Sequence, residues 1–424
     1  MGLMEPLDAV GLVRGIPIPA VHPVRRALWA ASRQVLAEAV TTERDIPPFH
    51  RSAVDGYAVR ASDVTSVPAT LDVVGVREAG DATPVALRPG QCLKIMTGAA
   101  VPADADAVVP VEETRDPAST RGEAEARPAA GSEGRPRTVA ILSGVAAGAN
   151  VAARGEDARA GSVVLPEGTF LNGQALAVAA GVGRKELSVY PLPKVALLQT
   201  GGELVEPGGR VGEHQIYNSN STLLAGLLSD CGLGVAHYLG ICRDEREALA
   251  GAIRRGLECD VLLLTGGVSK GDFDLVPEVL ESCGARTVFR GVAIRPGKPV
   301  MFAATADGRF AFGLPGNPNS VLVCFYEFVV PLLERLARLK RPAGSGEAEA
   351  ELTAAVRKSP GRWYYAACRF RWESGRLMAD PVHAHGSGDY VNAGRADGVV
   401  LLPRESTGAG AGERVRAHMW GRLG

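Results

Sequence analysis

Between residues 193 and 339 the apolar positions recur as a short continuous run, a polar Gly-rich break and an amphipathic stretch. The runs at 261–264 and 310–313 read as buried parallel strands, 195–199 is a further apolar run, and 235–241 is expected as another strand. Asn218 or Ser219 can cap a helix over 221–230 that stops at Gly232. Asp244 opens an amphipathic helix over 245–257. Further helices are predicted at 276–282 and 318–339, with extended chain over 287–303. Repeated β-α units of this length predict a doubly wound α/β domain with helices on both faces of its sheet.

On either side the pattern changes. Residues 54–60, 70–76, 91–96 and 107–111 are short β-rich segments with turn signals between them, predicting a separate β domain. Helices are expected at 28–40 and 172–180. Residues 114–136 hold almost no large apolar side chains and read as a linker or surface loop. Past Lys340, residues 342–347 read as a hinge of Pro, Gly and Ser. Residues 352–420 read as strands of a small barrel or sandwich. The Arg, Trp and Tyr crowded into 362–372 read either as a contact surface or as strand packing, the latter favoured.

At 424 residues the chain is too long for one core, so two to four domains are expected. With 46 basic and 47 acidic residues its net charge of −1 argues against non-specific nucleic-acid binding. No apolar run approaches the roughly 18 residues of a membrane span. The longest, 321–333, is interrupted by Glu327 and Pro331 and reads as a core helix. Residues 1–10 carry Glu5 and Asp8 without a basic segment, so no signal peptide is expected and the cytoplasm is the default location. Seven cysteines without a C-x-x-C pair suggest reduced, mostly buried thiols. His383 and His385 share one face of an expected strand, but with no third ligand nearby a packing or surface role is favoured.

The chemistry concentrates in three turns. Thr265-Gly-Gly-Val-Ser-Lys-Gly-Asp-Phe-Asp274 and Leu314-Pro-Gly-Asn-Pro318 each follow a predicted buried strand, and Arg295-Pro-Gly-Lys-Pro299 lies between them. Glycine turns at strand ends let backbone N–H groups close on an anion. Carboxylates beside them can hold a divalent cation, while Arg295 and Lys298 add fixed positive charge. The chain has only seven lysines against 39 arginines, and Lys270 and Lys298 both fall in these turns. The set suits a phosphorylated ligand with a metal, at the strand edge where doubly wound folds bind ligands.

Taken with Pro47-Pro-Phe-His-Arg-Ser-Ala-Val-Asp-Gly-Tyr-Ala-Val59 and Lys94-Ile-Met-Thr-Gly-Ala99, these turns resemble the molybdopterin molybdenumtransferase family, which includes the C-terminal enzyme domain of gephyrin. Gly155-Glu-Asp157, 240–244 and 396–403 extend the likeness from about residue 20 to the C-terminus. The resemblance implies a multidomain α/β chain. Its parts would be a discontinuous N-terminal linker domain (1–48 and 148–190), an inserted β-rich domain (49–147), a molybdopterin-binding α/β domain (191–340) and a C-terminal β-barrel (345–424). It also implies a homodimer in which the partner's inserted domain reaches toward the cleft. The implied reaction is Mg²⁺-dependent insertion of molybdate into adenylated molybdopterin, releasing AMP. Protein contacts would be the adenylyltransferase that precedes this step and the recipient apo-molybdoenzymes.

Carried over residue by residue, the resemblance assigns Asp274, Asp244 and Glu203 to Mg²⁺ and catalysis, with Asp55 as a further catalytic residue. Thr97, Ser269, Lys270, Arg295, Lys298, Pro315, Gly316, Asn317, Pro318 and Ser387 would bind substrate or anion. Asp272 either caps the next helix or assists the site. Three positions depart from the family pattern: Gly202 replaces the aspartate before Glu203, Arg295 replaces a lysine, and Asn319 stands where a small apolar residue is usual. Rival readings are the related adenylyltransferase and a non-catalytic molybdopterin-binding scaffold. The Asp-Gly-Tyr-Ala segment and the C-terminal strands favour insertion over adenylation.

Overall fold

The structure, a computed structural model, describes residues 2–115, 137–267, 275–340, 345–383, 386 and 388–420. The chain forms two compact units. One takes Met1–Glu38, Glu167–Leu176 and Lys185–Gly424, the other Ala39–Pro166 and Ala177–Arg184.

The first unit is built on a six-stranded sheet in the order Val235–Cys242, Lys194–Thr200, Val261–Thr265, Phe310–Leu314, Met301–Ala304, Arg286–Arg290. The first four strands are parallel. The last two pairings are antiparallel, with Met301–Ala304 running against its neighbours on both sides, which corrects the expectation of a purely parallel sheet. Only residues 305–309 join Met301–Ala304 to Phe310–Leu314, too few for the crossover that a parallel pair requires. Side chains alternate across the sheet into two cores. Val195, Leu197, Leu263, Phe302 and Phe312 face one core, while Ala196, Leu198, Leu262, Leu264 and Ala311 face the other.

The helices of this domain form close to their expected places, at Asn220–Cys231, Arg246–Gly256 and Val276–Ser282. Ser219 holds the cap position of the first, and Asn218, one residue outside, accepts the Ser221 N–H on its Oδ1 at 3.2 Å. In the second, Glu245 holds the cap position, so Asp244 stands one residue outside the helix rather than opening it. The last helix is divided into Pro318–Cys324, a widened π turn over Phe325–Val329, and Val330–Leu336. Pro331 has no N–H to return to the Glu327 carbonyl, which breaks the regular ladder at that turn.

In the barrel, Trp363–Glu373 pairs on one side with Arg376–Pro381 and on the other with Gly398–Leu402. Ser345–Leu352 and Arg414–Trp420 complete the ring, giving a closed β-barrel around Leu352, Cys368, Phe370, Ala379 and Val400. Residues 345–347 are therefore strand, not hinge, while 341–344 lie outside the described residues. His383 follows the end of Arg376–Pro381 rather than lying on a strand, and His385 is outside the description. All seven cysteines are unbridged.

Two further elements differ from expectation. Pro6–Gly15 is a helix, absent from the sequence reading, that sends Ala9 and Val13 into the main core. Residues 28–40 do not form one helix: a 3₁₀ turn at Leu28–Ala31 is followed by the strand Val35–Leu36. Arg33 takes a φ of 64°, incompatible with a continuing helix. Val35 and Leu36 then pair with Tyr190 and Val189, so a remote strand overrides local propensity.

The second unit carries a six-stranded sheet in the order Ala107–Pro110, Gly56–Val59, Gln91–Ile95, Ala69–Arg77, Arg137–Ile141, Thr114–Arg115. Tyr57, Val59, Leu71, Cys92, Val109 and Ile141 form one of its cores. The presumed loop at 114–136 begins as that edge strand, and 116–136 lie outside the described residues. No described helix is long and apolar enough to cross a membrane.

Candidate active site

Three loops meet at the carboxyl end of the parallel strands. Gly266 has φ +89°, and a Cβ there would lie 2.4 Å from the Thr200 carbonyl oxygen, so only glycine permits this approach. The Asp244 carboxylate is drawn to the same place, its Oδ1 3.9 Å from where a Gly267 Cβ would stand. Glu203 curls back over Gly201, with Oε2 2.5 Å from that residue's missing Cβ position.

A buried polar row underlies these turns. The Thr265 hydroxyl hydrogen-bonds Gln199 Oε1, and Thr200 Oγ1 donates to the Thr265 carbonyl at 3.4 Å. Asn220 Nδ2 donates to the Gly316 carbonyl at 2.8 Å and lies 3.4 Å from Thr265 Oγ1. Asn220 thus ties the Leu314-Pro-Gly-Asn-Pro318 turn to the first glycine turn. Sequence reasoning missed it, because an asparagine one residue inside a helix carries no signal of which distant carbonyl it reaches. Ser269, Lys270, Asp272 and Asp274 lie outside the described residues. Among the described residues no three His, Cys, Asp or Glu side chains gather as a metal centre.

Beside this edge is a cleft of about 660 Å³ whose lining includes Arg295, Lys298, Pro315, Asn317, Arg362 and Tyr364. It forms because the short strand Ile294–Arg295 pairs in parallel with Trp363 and Tyr364 of the barrel. The Arg295 guanidinium carbon lies 5.7 Å from the centroid of the Tyr364 ring, within cation–π range. Among the described residues, Arg295, Lys298 and Arg362 have no ion-pair partner. Three cations left to solvent in one concavity can take a tetrahedral oxyanion or a phosphate. Tyr364 lies on the strand Trp363–Glu373, in keeping with the strand reading, and it lines the cleft together with Arg362, in keeping with the contact-surface alternative. Their crowding with other Arg and aromatic residues was the available signal. Ser387 is outside the described residues, but Gly386 lines the cleft and a Cβ on Gly388 would stand 3.7 Å from Asn317 Oδ1.

In the second unit Asp55 and Thr97 meet directly. The Thr97 N–H and hydroxyl both donate to Asp55 Oδ1, at 2.6 and 2.7 Å. These bonds, the backbone one foremost, hold the Asp55 carboxyl below its ordinary value of 3.8, with Lys94 adding to the effect.

Residues 8–183 match the MoeA N-terminal region (domain I and II), 196–335 a probable molybdopterin binding domain, and 349–420 the MoeA C-terminal region (domain IV). The molybdopterin molybdenumtransferase of Bacillus subtilis is 32% identical over 423 residues, covering 96% of this chain and 94% of its own length. The chain belongs to the molybdopterin molybdenumtransferase family. The family member from a Nostoc species is also 32% identical, over 402 residues, 92% of this chain and 86% of the relative. Among solved structures, the molybdopterin biosynthesis MoeA protein of Pyrococcus horikoshii OT3 superposes with a TM-score of 0.78 at 28% identity, covering 99% of this chain and all of that one.

Proposed function

We propose that this chain acts in molybdenum cofactor biosynthesis, inserting molybdate into adenylated molybdopterin with Mg²⁺ and releasing AMP. The observation that carries the proposal is the cleft of Arg295, Lys298 and Arg362, whose charges have no described ion-pair partner. It lies beside the glycine turns of a domain matched to molybdopterin binding. These cations neutralise the incoming oxyanion, with Ser387 adding a hydroxyl donor. Backbone N–H groups of the turns, with Ser269 and Lys270, take the phosphate. Pro315, Gly316, Asn317 and Pro318 hold the far wall in a stiffened turn. Molybdenum is bound through the dithiolene of the pterin, so the protein needs no cysteine ligand. Its work is to orient the anion and limit competing water.

The carboxylates suit Mg²⁺ in donor chemistry, since it takes hard oxygen ligands and commonly only one or two carboxylates plus substrate phosphate. Asp244 and Glu203, both drawn to the strand-end turns, would hold it, and Asp274 is assigned with them. When bound, the ion would neutralise charge on the phosphoanhydride. The proposal includes a homodimer, a cytoplasmic location, transfer contacts with the adenylyltransferase and apo-molybdoenzymes, and division of the chain at 49–147, 191–340 and 345–424.

The test mixes the full chain with adenylated molybdopterin, Mg²⁺ and molybdate, following AMP and the activation of an apo-molybdoenzyme. AMP release with activation only when molybdate is present is the expected result. Pterin retained without either product supports the scaffold reading. Production of adenylated molybdopterin from ATP and molybdopterin supports the adenylyltransferase reading.

A further inference from the structure

Met4 and Glu5 lie upstream of every motif that carries the family likeness, yet they reach the strand that bears Arg295. Met4 bridges in parallel to Val292: its N–H donates to the Gly291 carbonyl at 3.1 Å, and its carbonyl accepts the Ala293 N–H at 2.7 Å. The Ala293 carbonyl in turn accepts the Trp363 N–H at 2.9 Å, and from there Ile294 and Arg295 run in register with Trp363 and Tyr364. Glu5 closes this corner with its side chain. It holds the cap position of the helix Pro6–Gly15 but makes no capping bond. Instead its Oε2 accepts the Trp363 indole N–H at 3.0 Å, and its Oε1 accepts from Arg404 Nη1 at 2.6 Å. Trp363 packs half-buried against the main core, where an indole N–H requires an acceptor. The Glu5–Arg404 pair is exposed, and Arg404 Nε also lies 3.7 Å from Glu405, so this ion pair adds little stability. What the two bonds supply is orientation of the Trp363 ring.

We propose that Glu5 is a positioning residue for anion binding in the cleft. By fixing Trp363 it holds the adjoining Tyr364, and with it the Arg295 guanidinium that stands 5.7 Å from the Tyr364 ring centroid. Arg295 and Tyr364 both line the cleft, whereas Glu5 acts from behind its wall without touching the anion. The inference rests on the molybdate reading of the site. An arginine held in place before the anion arrives loses less side-chain entropy on binding than one free to rotate. Releasing the platform therefore weakens binding without unfolding the chain.

The experiment measures molybdate binding to the full chain by calorimetry well below the unfolding midpoint, and cofactor formation as a function of molybdate concentration. The variants are Glu5→Ala, Glu5→Gln, Trp363→Phe, which keeps a ring but removes the indole N–H, and Arg295→Gln, with Glu5→Ala also made in the Arg295→Gln and Trp363→Phe backgrounds. The expected result is a Kd for molybdate raised about 3- to 5-fold in Glu5→Ala and in Trp363→Phe, the size of one neutral hydrogen bond. The KM for molybdate should rise similarly with kcat nearly unchanged. Glu5→Gln, which keeps an acceptor for the indole, should recover most of the affinity. Adding Glu5→Ala to Trp363→Phe or to Arg295→Gln should cost little more, because all three act through one platform. An unchanged Kd in both Glu5→Ala and Trp363→Phe, with binding weakened in Arg295→Gln, overturns the role of Glu5 alone. So does a loss from Glu5→Ala that stays the same size in the Arg295→Gln background. Wild-type protein that does not bind molybdate, or Arg295→Gln that binds it normally, overturns the reading of the cleft itself.

Discussion

The cleft and the Asp55–Thr97 turn both collect charge at loops, but they use it in opposite ways. Arg295, Lys298 and Arg362 share a concavity with no described ion-pair partner. Asp55 has both its hydrogen bonds supplied from within, by the backbone and hydroxyl of Thr97, and its carboxyl is depressed accordingly. Unpaired charge is available to a ligand, and like charges held together oppose folding slightly until that ligand arrives. Satisfied charge instead fixes the local backbone, so its loss is felt in stability. Binding and stability should therefore separate between the two places.

The sharpest test is Arg295→Gln combined with Lys298→Gln. Removing two charge-assisted contacts should weaken molybdate binding and lower cofactor formation by about 100-fold or more. The midpoint of thermal unfolding without ligand should stay level or rise. Calorimetry with molybdate and a melting curve check both halves; a large fall in stability would show that these cations are structural and erase the contrast.

Glu203→Gln should affect a different ligand. The Mg²⁺ concentration giving half-maximal AMP release should rise by about 10-fold, since one charged ligand is removed. Molybdate affinity measured without pterin should not change. A Mg²⁺ titration at saturating molybdate decides this, and equal sensitivity to both would merge the carboxylate and cation sites.

Asp55→Ala should behave in the opposite manner to the cleft variants. It removes the acceptor of two hydrogen bonds at an exposed site, a loss of about 1 kcal/mol at neutral pH. Because the folded carboxyl is held below 3.8, its contribution is fully present above that value and is lost as pH falls through the depressed folded value. Urea unfolding of wild type and variant should thus differ at pH 7, and the gap should narrow as pH falls below 3.8. A gap that widens in acid would contradict the assigned direction.

The division between what the sequence disclosed and what it hid follows the range of the interactions. Three of the four parallel strands were readable because 195–199, 261–264 and 310–313 are apolar runs that each lead into a glycine turn, both local properties, whereas Val235–Cys242 carries His237 and is exposed over its first four residues. Asp244 and Glu203 could be placed at the sheet edge for the same reason. Residues 28–40 misled because their helical composition is overruled by Arg33 at positive φ and by pairing with the remote Val189 and Tyr190. The antiparallel sheet edge depended on counting the short connection at 305–309. Arg362 and Tyr364 reach the cleft through the pairing of Ile294–Arg295 with Trp363 and Tyr364, a register that no local pattern announces. Asn220 matters through the carbonyl it reaches, which is likewise non-local.

The smallest effect should come from the aromatic wall. Tyr364 lies beneath the Arg295 guanidinium at 5.7 Å, and Arg295 is itself exposed, so the stacking contributes about 0.5–1 kcal/mol. Tyr364→Leu should raise the Kd for molybdate about 2- to 5-fold, while Tyr364→Phe, which keeps the ring face, should bind as the wild type does. Arg295→Lys should cause a similar modest loss, because charge survives but the planar fork and its stacking do not. If the ring acts by orienting the guanidinium, Tyr364→Leu in the Arg295→Lys background should cost less than it does alone. Calorimetry on the four proteins of that cycle measures the coupling directly. Strict additivity would mean that Tyr364 shapes the cleft independently of Arg295, leaving charge alone to distinguish this region from the Asp55–Thr97 turn.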